Sequence, residues 1–313
     1  MLRRFFGFSI IVVVLACARD DTASAKTRDG HPDDDGVPPR PAVIAPASQP
    51  YRVAPVAAPG TIIGTVDFDG VAPSPTVVQP TVDQNVCGRS IVEKRVTLSG
   101  TRVASAVVWL TDIRTGKDFP LERRFDLTNN DCMLDPFVQA MTTNGTLNVG
   151  NDDRAVQTNR FINVGTGKIV AFAPFNDDGE VVPIDRFKEP AQIEVVSEQH
   201  PWTHAWIAVL DHPYFAETDA KGTFKIDGVP PGKYQLRAWH PALGFADATT
   251  TVAAGQQVIV EFRIRGTGAS ARPVIAAPDT IPAASSTPTP EPPPTASTTP
   301  TSSSTPTAPP PRR

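Results

Sequence analysis

Residues 197–204 read Ser-Glu-Gln-His-Pro-Trp-Thr-His, which puts two hydroxyls, a carboxylate and two imidazoles in one short stretch. Two kinds of chemistry use such groups. A nucleophilic hydrolase needs a serine bonded to a base that a third group orients, and Ser197, His200 and Glu198 supply those types. A serine and a histidine three apart on a loop seldom align that way. The chain also lacks the Gly-x-Ser-x-Gly elbow, the His-Glu-x-x-His pair and a phosphate loop. No catalytic residue is therefore assigned. The second chemistry is a metal site. Of the five histidines, His200, His204, His212 and His240 fall late in the chain. With Glu198 or Asp211 they could form a nitrogen and oxygen site for Zn²⁺ or Cu²⁺. The spacing does not demand it: His200 and His204 share a face only on a helix, and this segment reads as a loop entering a strand.

The chain has three cysteines. Cys87 and Cys132 are a disulfide pair if the compartment oxidises, and two buried thiols if it does not. A bridge would close a loop of about 45 residues and contribute about 3–4 kcal/mol through chain entropy. The Asn/Asp pairs at 129–131, 151–153 and 176–178 lack the ligand alternation and closing Glu of a calcium loop and read as turns.

The elements that must hold these groups are strands. "TIIGTVDFDG", "ASAVVWLTDI", "GKIVAFAPFNDDG", "AQIEVVSE" and "HAWIAVLD" are short β-branched runs bounded by Gly, Asn, Asp and Pro. That pattern predicts an all-β, antiparallel sandwich or barrel with no helix beyond one turn at "DPFVQAM". After Tyr214 the chain reads as turn, strand, turn, strand. Asp219 to Gly222 and Val229 to Gly232 mark the turns, Tyr234, Leu236 and Ala238 share one strand face, and Trp239 takes the other. A hairpin is expected around Ala254-Gly255.

Both ends differ in kind. Met-Leu-Arg-Arg, an apolar run from Phe5 to Ala16, and then Cys17 make a secretory signal over residues 1–16. The run is shorter than the about 20 residues that span a bilayer. The Val14-Leu15-Ala16-Cys17 ending resembles a bacterial lipoprotein signal, which makes Cys17 the lipidation candidate. Residues 17–58 read as a flexible tether, and 267–313 as a disordered Pro/Thr/Ser-rich tail. A net charge of −4 with no long basic run argues against nucleic acid.

Two resemblances follow from specific strings. Asp219, Gly222, Phe224, Val229, Pro230, Pro231, Gly232, Tyr234 and Leu236 match the recurrent pattern of the carboxypeptidase regulatory-like module, a transthyretin-like β-sandwich; this implies such a module at 211–266. Cys87-Gly88, Val107 to Leu110, Cys132 to Val138, Leu147 to Asp153 and His200 to Trp202 occur in an order that resembles exported cupredoxin-like proteins of the plastocyanin or methylamine-utilisation type. That resemblance implies a cupredoxin-like domain at 59–210. It also implies where copper ligands would fall: two histidines at Gln157 and His200, the cysteine at Ser197 and the methionine at Thr203. Only His200 keeps a ligand type, so the copper site is degenerate and no cofactor is expected. A soft thiolate has no substitute in a serine hydroxyl.

The resulting expectation is a non-catalytic, extracytoplasmic lipoprotein, anchored to a membrane and binding or scaffolding an envelope protein or glycan. Two alternatives remain: a copper- or zinc-binding protein with a rebuilt site, and weak carbohydrate binding through exposed Trp109, Trp202, Trp206 or Trp239. Against the second stands a core position for each Trp.

Overall fold

The computed structural model describes residues 43–44, 49–121, 123–185 and 187–266. The signal segment, Cys17, most of the tether and the 267–313 tail lie outside the described residues. The described chain is all-β, with a single one-turn helix, Gln84–Cys87. "DPFVQAM" is not helical: Val138–Thr142 is a buried strand.

Strands assemble into two sandwiches. In the first, Gly60–Asp69 is central. It pairs with Thr223–Val229 and Arg102–Val103 on one edge and runs parallel to Gln257–Arg265 on the other. The facing sheet runs in the order Phe215–Glu217, Val107–Leu110, Gly232–His240, Gly244–Val252. Between these sheets lie Ile62, Val66, Leu110, Leu236, Phe262 and their neighbours. The expected hairpin at Ala254-Gly255 is instead a crossing between sheets, because Gly244–Val252 and Gln257–Arg265 belong to opposite layers. The second sandwich stacks the sheet Met133–Asp135, Arg124–Asn130, Thr146–Asn151, Glu180–Ile184 on the sheet Val138–Thr142, His204–Leu210, Ala191–Ser197, Gln157–Asn163, Ile169–Phe175. Leu127, Leu147, Phe161, Ile193 and Ile207 fill it.

The two sandwiches therefore do not divide at residue 210. Strands Gly60–Asp69 and Val107–Leu110, expected in the cupredoxin-like part, supply the central strands of the sandwich that holds 211–266, and the second sandwich is inserted between them and it. The physical reason is pairing. Thr223–Val229 and Gln257–Arg265 do not pair with each other; each needs the Gly60–Asp69 strand beside it.

The sandwiches meet through a third apolar cluster. Trp109, Trp239 and Val107 of one sheet pack on Trp206, Ala208, Leu210 and Val138 of the other. Trp206 and Trp239 meet edge to face, 6.2 Å between centroids. This explains two runs that do not alternate. In His204–Leu210, Ala205, Ile207 and Val209 face the second core, while Trp206, Ala208 and Leu210 face the joint. In Val107–Leu110, Val108 and Leu110 face the first core, while Val107 and Trp109 face the joint. A strand covered on both faces reads as a continuous apolar run.

Candidate functional site

The loop after Ala191–Ser197 carries the His-Pro-Trp turn, and its sides are built by chain far away in sequence. Gln157 opens the neighbouring strand. Ser197 ends its own strand. Thr203 lies just before His204–Leu210. Cys132 comes from the tight turn Asp131-Cys132, with φ of 51° and 56°, that joins Arg124–Asn130 to Met133–Asp135. Positive φ at both central residues is the type I′ hairpin geometry, seldom built from residues other than Gly and Asn/Asp. Here Cys132 is fixed by its neighbours. Its N–H donates to both carboxylate oxygens of Asp153, at 3.1 and 3.0 Å, and its sulfur bridges to Cys87. The disulfide expected as one of two alternatives is therefore present, with 5.4 Å between Cα atoms.

The four positions that the cupredoxin resemblance assigns to copper ligands, Gln157, Ser197, His200 and Thr203, are all buried, and the Gln157 and Ser197 side chains meet. Their side chains already have hydrogen-bond partners. Gln157 Nε2 donates to Asp153 Oδ2 at 3.0 Å and to Asn151 Oδ1 at 3.3 Å, and its Oε1 accepts from Ser197 Oγ at 3.4 Å. Ser197 Oγ accepts from the His200 backbone N–H at 3.1 Å. Thr203 Oγ1 accepts from the Leu134 N–H at 2.7 Å. The set is an amide, two hydroxyls and one imidazole, with no thiolate among the four. It does not fit a blue-copper ion. Ser197 also fails the geometry of a nucleophile. Its oxygen meets the backbone of His200, whereas the ring has Nε2 at 3.0 Å from Asp83 Oδ2 and no hydrogen-bond partner on Nδ1.

His200 is fully buried and stacks on Trp202, centroids 4.9 Å apart. The indole N–H donates to the Cys132 carbonyl at 3.1 Å, which ties the turn to the disulfide. The Cys87 sulfur lies 3.8 Å from His200 Nε2. Among the described residues, Cys87, Cys132 and His200 are the group of metal-ligand type whose donor atoms all lie within 4.8 Å of one another. Sequence reasoning found the cysteine pair and the histidine separately. It missed their contact, as well as Asp83 and Asp153. Cys87 and His200 are 113 residues apart, and no local signal links them.

The alternative four-histidine set is not assembled among the described residues. His204 places Nε2 3.1 Å from the Pro201 carbonyl and Nδ1 3.5 Å from Glu194. His212 and His240 use Nδ1 to accept backbone N–H groups of Tyr214 and Ala242, at 3.2 and 3.3 Å. Burial pushes their imidazoles down to about 4 and about 3. The tryptophans that the sugar-binding alternative needs exposed are interior at 109, 206 and 239, and Trp202 is half-buried against His200.

A second feature lies at the joint between the sandwiches, a cavity of about 460 Å³ lined by Trp109, Arg114, Asp211, His212, Gln235 and Arg237, among others. Asp211 Oδ2 is buried without a hydrogen-bond partner, and burial holds its carboxyl above the usual range. Residues 43–44 close one side. Val43 donates to Gln192 Oε1 at 3.2 Å and accepts from Arg237 at 3.1 Å.

Residues 188–259 match the family model of domain II of polysaccharide lyase family 4. No curated protein matches the chain. Solved structures with partial similarity include a copper-containing nitrite reductase from Thermus scotoductus, 17% identical, covering 32% of this chain and 25% of that one, with a TM-score of 0.25. This chain thus spans about a quarter of the reductase's length. Also similar is a purple cupredoxin from Nitrosopumilus maritimus, 18% identical over 27% of this chain and 98% of that one, TM-score 0.23. A reduced auracyanin from Roseiflexus castenholzii is 10% identical over 29% and 98%, TM-score 0.23.

Proposed function

We propose that this chain is a non-catalytic β-sandwich binding module of the cell envelope, tethered through Cys17, in which the copper position of a cupredoxin-like ancestor has become part of a closed structural core. One observation carries the reading. Gln157, Ser197 and Thr203 are buried, and each is committed to hydrogen bonds that a metal would have to break. Losing one such bond while its partner stays buried costs about 1–3 kcal/mol. What remains for recognition is the polar cavity at the joint, where Asp211, Arg114 and Gln235 can meet a small polar ligand or an extended segment of an envelope partner. The match to a polysaccharide lyase domain supports a glycan as that partner. The test is a Cu²⁺ titration of the air-oxidised full chain, followed by visible absorption. No stoichiometric binding and no thiolate–copper band are expected. Tight binding that His200→Ala abolishes would overturn the reading.

A further inference from the structure

The geometry points to a second metal chemistry at the same turn: reducing the Cys87–Cys132 disulfide creates a thiolate and imidazole site for a soft d¹⁰ cation, Zn²⁺ or Cu⁺, held by Cys87, Cys132 and His200. It extends the reading above, in which the oxidised protein is closed to metal. Its ligands are different from the blue-copper set, since Gln157, Ser197 and Thr203 keep their hydrogen bonds and only His200 is shared.

Three segments already bring the donors together. Cys87 ends the one-turn Gln84–Cys87 helix, Cys132 sits in a turn clamped by Asp153, and His200 is stacked on Trp202. Zn–S bonds of about 2.3 Å and Zn–N bonds of about 2.0 Å place tetrahedral ligands about 3.3–3.8 Å apart. The Cys87 sulfur and His200 Nε2 are 3.8 Å apart. Asp83 Oδ2 lies 3.0 Å from the same nitrogen, beside the three donors but outside the group that lies within 4.8 Å of one another. The Cys132 sulfur lies within 4.8 Å of the other two donors, so after reduction the sulfurs must separate and the donors close in by about an ångström or less. His200 Nδ1 has no partner in the oxidised protein. It can therefore hold the ring proton when Nε2 gives its lone pair to a metal. Asp83 is 39% exposed, so the cluster is reached from solvent on that side.

The chemistry balances with a dithiol reductant. One of its thiolates attacks a disulfide sulfur and forms a mixed disulfide. Its second thiol then displaces the protein sulfur, so two electrons and two protons pass to Cys87 and Cys132 and the reductant leaves as a disulfide. Binding the cation releases the two thiol protons as the thiolates form. In the disulfide neither sulfur is an anion, and the soft donors are absent. Metal binding is thereby gated by redox state.

The experiment uses the full chain with Cys17→Ser in every sample, so that only Cys87 and Cys132 report. Protein is left oxidised, or reduced with dithiothreitol that is removed anaerobically. Co²⁺ is the optical probe for the Zn²⁺ site, and Zn²⁺ and Cu⁺ are measured separately by chelator competition. The reduced chain should bind one equivalent, show a thiolate-to-Co²⁺ charge-transfer band, and exceed the affinity of the oxidised chain by about a hundredfold or more. Binding of either ion supports the site, and the comparison tells which is preferred. His200→Gln should weaken binding by about a hundredfold, and Asp83→Asn by about tenfold. Reduced protein that keeps its far-ultraviolet β signal and binds neither ion sinks the inference. So does His200→Gln binding as tightly as the parent, or a reduced chain that unfolds and does not refold with metal. Stoichiometric metal on the oxidised chain would instead overturn the closed-core reading of the preceding section, with the reduced arm still judging this one.

Discussion

His212 and His240 are neutral residues of the interior, each accepting a backbone N–H on Nδ1. Protonation would cost that bond and bury a charge. Their folded values, about 4 and about 3, lie below the unfolded value near 6.5. The unfolded chain therefore binds more protons between those limits. Stability is complete above about pH 6.5 and falls as pH drops through the window, by about 1.4 kcal/mol per pH unit for each histidine. Asp211 and Glu217, both raised by burial, act in the opposite sense at the acid end. Denaturation midpoints should fall from pH 7 to pH 5, and His240→Asn should remove about half the slope. An unchanged slope would mean that these rings titrate normally. Asp153 is the other residue-scale test. Its carboxylate takes the Cys132 N–H and the Gln157 amide in a buried setting. Asp153→Ala leaves two buried donors unmet and should cost about 2–4 kcal/mol. Arg154→Ala removes only an exposed ion pair with Asp178 and should leave the denaturation midpoint nearly unchanged. Chemical denaturation of the two variants side by side decides whether Asp153 is the clamp described here.

The turns at the scale of elements are not equivalent. Gly222 has φ of 70°, and a Cβ there would sit 2.7 Å from the Arg102 Cβ and 3.0 Å from the Val103 backbone nitrogen. Those atoms belong to a strand paired with Gly60–Asp69 and cannot move aside. Gly255 has nearly the same φ, 68°, and open space around it. Gly255→Ala should therefore cost only the left-handed penalty of about 1–2 kcal/mol, and Gly222→Ala distinctly more. Equal losses in thermal midpoint would show that backbone conformation alone matters. The element that a local reading misjudged is the segment joining Gly244–Val252 to Gln257–Arg265. Two strands around Ala-Gly look like a hairpin, but their partners are Gly232–His240 and Gly60–Asp69 in facing sheets. Alternation tells which side chains turn inward and not which strand lies beside them.

On the scale of the whole molecule, one sandwich is interrupted by another. Residues 211–266 alone lack Gly60–Asp69 and Val107–Leu110, the central strands of both their sheets. That fragment should be unfolded by circular dichroism, and a chain joining 59–110 directly to 211–266 should regain β structure. A folded 211–266 fragment would contradict the pairing described here.

The sequence by itself determined the all-β class, the edges of many strands, the inward face of Tyr234, Leu236 and Ala238, and the absence of a thiolate at position 197. Each is a property of residue type or of a period along a few neighbours. Only the tertiary structure decided which strands share a core. It also decided that Trp109, Trp206 and Trp239 seal a joint rather than face solvent, and that Asp83 and a disulfide stand against His200. Those are contacts between segments tens to more than a hundred residues apart. They are set by pairing and packing across the folded chain, which leaves no period or spacing in the sequence to read.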